Sequence, residues 1–179
     1  MALTNSVIGN YGPDQFTIVL SKNDFVHTIG GFADGTFVTM ERLVPTSEPY
    51  QGVGSNAFGR VKRSVTAMNV MISLHQYSPS NDVLQQLQQA DADAIDNTWI
   101  FNCTIRDMTG RTRVSSSNAI IQAPPTAAFS TTTETRDWQI YMFGSDLFIG
   151  GNMLLDDANA AAITAAGGDI DPRWLLSNQ

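Results

Sequence analysis

Cationic side chains are scarce in this sequence. Ten Lys and Arg stand against 17 Asp and Glu, for a formal net charge of −7, and the only lysines are Lys22 and Lys62. A face for nonspecific nucleic-acid binding needs many phosphate-neutralising cations, so that class of function is excluded. The one basic run, Arg60-Val61-Lys62-Arg63, is too short to supply such a face. Cysteine is nearly absent: Cys103 stands alone, which rules out a disulfide framework and a thiolate metal cluster. Set in the apolar run WIFNCTIRD, it is expected to be buried and inert. Histidine is limited to His27 and His75, each inside a strand-like run. No apolar stretch approaches the roughly 20 residues of a membrane helix. The opening MALTNSVIGN has neither the basic nor the apolar segment of a secretory leader, so no membrane anchor is expected, and synthesis in the cytoplasm is.

Catalytic signatures are missing as well. The pattern G-x-S-x-G does not occur, and FGSD around Ser145 reads as a turn. GVGSNAFG has glycines but no Lys-Ser/Thr pair, so it fails as a phosphate-binding loop. DADAID, Asp91 to Asp96, resembles a calcium loop superficially. It has Asp96 where the loop needs glycine and Asn102 where it needs a bidentate glutamate, and a solvated helix end is the better reading. No catalytic residue, metal ligand or cofactor is expected, and the chain does not read as an enzyme.

What is present is a polar, weakly charged β protein. Hydrophobic residues make up 42% and charged residues 15%, and Ser, Thr, Asn, Gln, Ala and Gly fill much of the rest. The pattern predicts a single domain over 1–179: mainly β with some helix (α+β), an antiparallel sandwich or barrel with one flanking helix. QFTIVL and FVHTI read as strands around an SKND turn, and Asp34-Gly35 reads as the turn of a hairpin into TFVTMERL. MTG is expected to turn a second hairpin, and Gly144-Ser145-Asp146 a third. SPSNDVLQQLQQADADAI carries the interior helix, with Ser80 or Asn81 as its cap. DDANAAAITAAGG reads as a later helix, capped by Asp156 or Asp157 and stopped at Gly167-Gly168. In the tail from about 169 to 179, Trp174-Leu175-Leu176 must either fold back or dock.

Two features bear on function. From Leu43 to Gly59 the chain loses any hydrophobic period and reads as a long inter-strand loop, marked by Pro45, Pro49, Gly52, Gly54 and Gly59. Such length costs closure entropy, and compact domains seldom carry it without a use. After it, alternation puts Met68, Val70, Ile72 and Leu74 on one strand face and Asn69, Met71, Ser73 and His75 on the other.

The passage FTIVLSKNDFVHTIGGFADGTFVTMERLVPTSEPYQGVGSNAFGR, with MNVMISLHQYSPSNDVLQQL after it, resembles the tail tube and related proteins of contractile-tailed bacteriophages. That resemblance implies a virion structural protein made in the bacterial host. It implies hexameric rings that stack into a hollow tail tube, through which DNA passes during ejection without specific binding. Tail sheath and tape-measure protein are the implied partners. The loop residues Leu43, Val44, Pro45, Pro49, Tyr50, Gly52, Gly54, Phe58 and Gly59 would make the ring-to-ring contact. Thr39, Glu41, Asn69, Ser73 and His75 are candidates for the lumen. Another ring subunit of the tail, a terminator or baseplate component, fits the same pattern. So does a glycan-binding β-sandwich using Trp99, Trp138 and Tyr141 for stacking.

Overall fold

The computed structural model describes residues 9–54 and 57–178. Its strands are β1 (Phe16–Lys22), β2 (Phe25–Thr28), β3 (Val38–Arg42), β4 (Ser47–Gln51), β5 (Phe58–Lys62), β6 (Met68–His75), β7 (Phe101–Asp107), β8 (Arg113–Ala123), β9 (Thr135–Phe143) and β10 (Asp146–Phe148). The helices are α1 (Ser80–Asp93) and α2 (Asp157–Ala165). The protein is mainly β and antiparallel wherever register is defined, with α1 as the flanking helix. Two compact units are built from interleaved segments. Of the described residues, the larger comprises those within 18–105 and 114–147; the smaller comprises those up to Thr17, within 106–113 and from Phe148 onward.

The core of the larger unit follows from period-two alternation. In β6, Met68, Val70, Ile72 and Leu74 are fully buried, while the residues between them are half-buried or exposed. β9 pairs with β6 in the register Ile72↔Trp138 and Val70↔Ile140, so Trp138, Ile140 and Met142 join the same buried face. Leu84 and Leu87 of α1 are buried as well, and the glutamines of the helix are mostly left to solvent. Each fully buried aliphatic side chain of this kind stabilises the fold by about 1.5–3 kcal/mol.

The sheet order is β2-β1-β7-β8-β9-β6-β3, with β10 on β8. β2 and β3 therefore lie at opposite ends of the order, and the hairpin expected at Asp34-Gly35 does not form. The chain instead passes from one end of the sheet to the other. The Ile29 amide donates to the Ile18 carbonyl of β1, and two residues later the Gly31 carbonyl accepts from the His75 amide of β6. Within three residues the chain thus bonds to β1, next to one end of the order, and to β6, next to the other, and turns a corner. Phe32 then bridges Leu74, and the Ser73 backbone bonds both Ala33 and Phe37. Asp34, Gly35 and Thr36 bulge out opposite Ser73, and Gly35 takes a φ of 84°. A bulge of this sort interrupts an edge strand and blunts its pairing capacity.

Gly31 is required for two reasons. Its φ is 73°, and a Cβ there would lie 2.6 Å from Cβ of Ser78. Ser78 is the anchor of this corner: its hydroxyl donates to the Gly30 carbonyl at 2.6 Å and accepts from the Ser80 amide at 3.2 Å. Capping of α1 thus comes from Ser78, with Pro79 at the N-cap position, and not from the side chains of Ser80 or Asn81. Those two are committed elsewhere. The Ser80 hydroxyl accepts from the Gly30 amide, and the Asn81 amide oxygen accepts from Trp138 Nε1 at 2.8 Å.

The β7–β8 turn forms around Met108-Thr109-Gly110 as its sequence suggests. Asp107 caps it, accepting from the Thr109 amide and hydroxyl. β10 does not fold back on β9 as the turn residues suggested. β9 already has β8 and β6 on its two sides, so β10 takes the free stretch of β8. In the smaller unit α2 starts at an Asp156 cap and stops at Gly167, whose φ is 84°. The tail folds back: Leu155 exchanges backbone bonds with Trp174 and Leu176, leaving Trp174, Leu175 and Leu176 half-buried.

Candidate assembly surfaces

The run from Leu43 to Gly59 is not an irregular loop. It belongs to a longer excursion between paired strands β3 and β6, and most of it is a β-hairpin, with Ser47↔Lys62 and Gln51↔Phe58 at the ends of the β4–β5 ladder. Pro49 and Gly59 are poor strand residues, which hid the ladder. Pairing here is carried by the backbone, and a two-stranded pair tolerates proline on an outward N–H position. The neck of the excursion is pinned. The Leu43 amide donates to the Ala67 carbonyl, the Arg63 amide donates to the Thr46 carbonyl, and Arg63 pairs with Glu48 at 2.8 Å. Val44 and Pro45 lie in the bend leading to β4. The Gly52 amide bonds the Ala57 carbonyl below the tip, and Gly54 has a φ of 121°.

This hairpin buries almost nothing of its own. Every residue of β5 is exposed, and Tyr50, Val53, Phe58 and Val61 show 66, 108, 71 and 51% of their surface. Tyr50 and Val61 sit on one face of the ladder, Pro49 and Phe58 on the other, so neither face packs on a core. An isolated two-stranded hairpin is marginal in water, and apolar groups on both its faces make it a surface that needs a partner.

The second surface is the outer face of β3, β6 and β9. Register places Thr39 opposite Met71, Glu41 opposite Asn69, Ser73 opposite Asp137 and His75 opposite Thr135. Paired residues share a face, so Thr39, Glu41, Asn69, Ser73 and His75 are brought together on the side away from the buried row. Thr39 and Glu41 are exposed, and the other three are half-buried. The Ser73 hydroxyl donates to Asp137 at 2.6 Å, and His75 stacks on Tyr77 with ring centres 4.9 Å apart. Asn69 Oδ1 is buried without a hydrogen-bond partner. The charges at these registered positions are acidic, Glu41 and Asp137.

The three aromatics of a sugar-binding surface do not assemble. Trp138 is buried in the core and Tyr141 faces the opposite side of β9, as an odd separation along a strand demands. Trp99 lies elsewhere, with Lys22 Nζ 5.9 Å from its ring centre. Cys103 is fully buried, and burial pushes its thiol up to about 12. His27 bonds Ser80 Oγ at 3.0 Å, and burial holds its pKa below the ordinary value. Among the described residues no helix is long and apolar enough to cross a membrane.

Sequence reasoning missed one feature, a cleft of about 170 Å³ in the smaller unit. Arg106, Arg111, Arg113 and Arg173 line it beside Leu155 and Trp174. The arginines come from segments some 60 positions apart, so no local run announced them.

No protein-family model matches the chain. In fold, it is similar to the tube terminating cap of the anti-feeding prophage, seen by cryo-electron microscopy. That similarity covers 83% of this chain and 94% of the other, with a TM-score of 0.49 and 11% identity. In sequence it is 36% identical over 167 residues to structural protein ORF10 of Pseudomonas phage KPP10, covering 92% of this chain and 96% of that protein. At that identity over nearly the whole of both sequences, the chain belongs to the family of phage structural proteins that includes ORF10.

Proposed function

We propose that the chain is the ring subunit of a phage tail tube, six copies to a ring, with rings stacked into a hollow tube that conducts DNA during ejection. The observation that carries this reading is the β4–β5 hairpin: pinned at its neck, apolar on both faces and exposed. Exposed apolar surface on a paired, twisted ribbon is stable only where a neighbour covers it. Stacking of successive rings supplies that cover through Leu43, Val44, Pro45, Pro49, Tyr50, Gly52, Gly54, Phe58 and Gly59. Membership in a family with a phage structural protein supports a place in the virion. The sixfold ring, the sheath and the tape-measure protein follow from the tube proteins that the chain resembles.

In this reading the outer face with Thr39, Glu41, Asn69, Ser73 and His75 lines the lumen. Acidic and neutral polar groups repel or ignore phosphate, so DNA slides without sticking. Ring closure leaves no sheet edge free. The subunit works by packing, with no catalytic step.

Negative-stain microscopy of the purified protein at high concentration tests the reading. Tubes of uniform diameter are expected. Single rings that never stack would assign the chain to a terminator or baseplate ring, and a monomer at every concentration would overturn the assembly role.

A further inference from the structure

The arginine-lined cleft of the smaller unit has no part in the tube reading, and its chemistry is unusual for this chain. Four of the eight arginines of an otherwise acidic sequence meet there. Only Arg173 has a carboxylate within ion-pair distance among the described residues, Asp171 at 2.7 Å. Arg111 is held in place: its Nη1 donates to the Met153 carbonyl at 2.6 Å, and its guanidinium lies 5.2 Å from the Trp174 ring centre. Gly150 permits that seat, since a Cβ there would come within 2.5 Å of Arg111 Cβ. Arg113 lies 5.9 Å from the centre of Phe148. Burial lowers the pKa of Arg111, the mark of a cation short of solvent.

The lining also includes apolar side chains, Leu155, Ile163 and Trp174. The cleft thus matches an apolar side chain flanked by carboxylates. Asp169 and Asp171 also line it, and a phosphate tract would leave the apolar part of the lining unused. One segment of this chain has the complementary chemistry. Ile95 is fully exposed just beyond α1, with Asp93 two positions before it and Asp96 one after. Among the described residues, no other exposed large apolar side chain has a carboxylate within two positions on both sides. The C-terminal end of α1 adds its own negative pole.

We infer that the cleft is a docking site for an acidic segment with an apolar tip, and that its occupant is Ile95, with Asp93 beside it, from a second copy of this chain. The contact is heterologous, cleft to tip, the type that propagates an assembly. It rests on the reading that copies of this chain assemble with one another.

The test uses the full chain and a dye-labelled synthetic peptide of residues 89–98, followed by fluorescence anisotropy. Saturable binding is expected. It should weaken about tenfold or more with Arg113→Glu or Arg106→Glu in the protein, and similarly when Ser replaces Ile95 in the peptide. Both arginines are exposed, so neither variant threatens folding. Absent binding, or binding indifferent to these changes, overturns the inference. Binding of a short DNA duplex that depends on Arg113, with none of the peptide, would reassign the cleft to phosphate and overturn it too. In the full chain, Ile95→Ser is expected to weaken self-association about tenfold by sedimentation. Tubes that form unchanged with Ile95→Ser would sink this contact and leave the tube standing. A wild-type monomer would sink the tube and, with it, the second copy as occupant, even where the cleft still binds the peptide through Arg113.

Discussion

Strand β6 and the β4–β5 hairpin are neighbours in the chain, yet they treat apolar side chains in opposite ways. β6 carries Met68, Val70, Ile72 and Leu74 wholly out of water, whereas Tyr50, Val53, Phe58 and Val61 of the hairpin stand in it. The difference lies in how many partners each has. β6 is paired on both sides, by β3 and β9, and its alternation gives a single buried face. The hairpin strands have only each other, and apolar residues occupy both faces of the ladder. Stability is concentrated in the first element, and unmet affinity in the second. In the proposed reading, a subunit built this way folds on one set of contacts and assembles on another.

The largest expected effect comes from breaking the buried side. Trp138→Ala removes the biggest core side chain and strips the Asn81 amide oxygen of its donor, and should cost about 3–5 kcal/mol in urea unfolding. Gly31→Ala attacks the corner between β2 and β3. A φ of 73° and the contact with Ser78 should together cost about 2–3 kcal/mol, read in the same way. On the hairpin the expectation reverses. Phe58→Ser should move folding stability by less than about 0.5 kcal/mol, because the side chain contacts mainly water, while assembly is impaired.

The smallest effect is a pH dependence. Burial holds the folded-state pKa of His27 below 6.5, so between that lowered value and 6.5 the unfolded chain binds more protons than the folded one. This contribution is complete above 6.5 and declines as pH falls through the window. His27→Gln should flatten that part of a stability–pH profile.

Much of the buried side was legible in the sequence. The alternation in β6, the MTG turn, the Asp156 cap and the Gly167 stop all rest on local periodicity or local backbone geometry, and each formed as expected. The failures share a different cause. Asp34-Gly35 has the composition of a hairpin turn, but its role as an edge bulge depends on Ser73, far along the chain. β10 has a turn before it, but its pairing depends on which side of β9 was already taken. The hairpin was masked by Pro49 and Gly59, poor strand residues that sit within its ladder. The arginine cleft is assembled from the β7–β8 turn and the tail, so only the folded chain brings it together. Of the assembly surfaces, alternation exposed the polar face of β6, and lost periodicity marked the hairpin without revealing its form.

The proposed function requires that the hairpin serve assembly and not folding. Sedimentation of the wild-type chain beside one with residues 47–62 replaced by a short Gly/Ser linker tests it most directly. Large assemblies are expected for the wild type and a compact folded monomer for the replacement; identical assemblies from both chains would show that the hairpin plays no part in assembly.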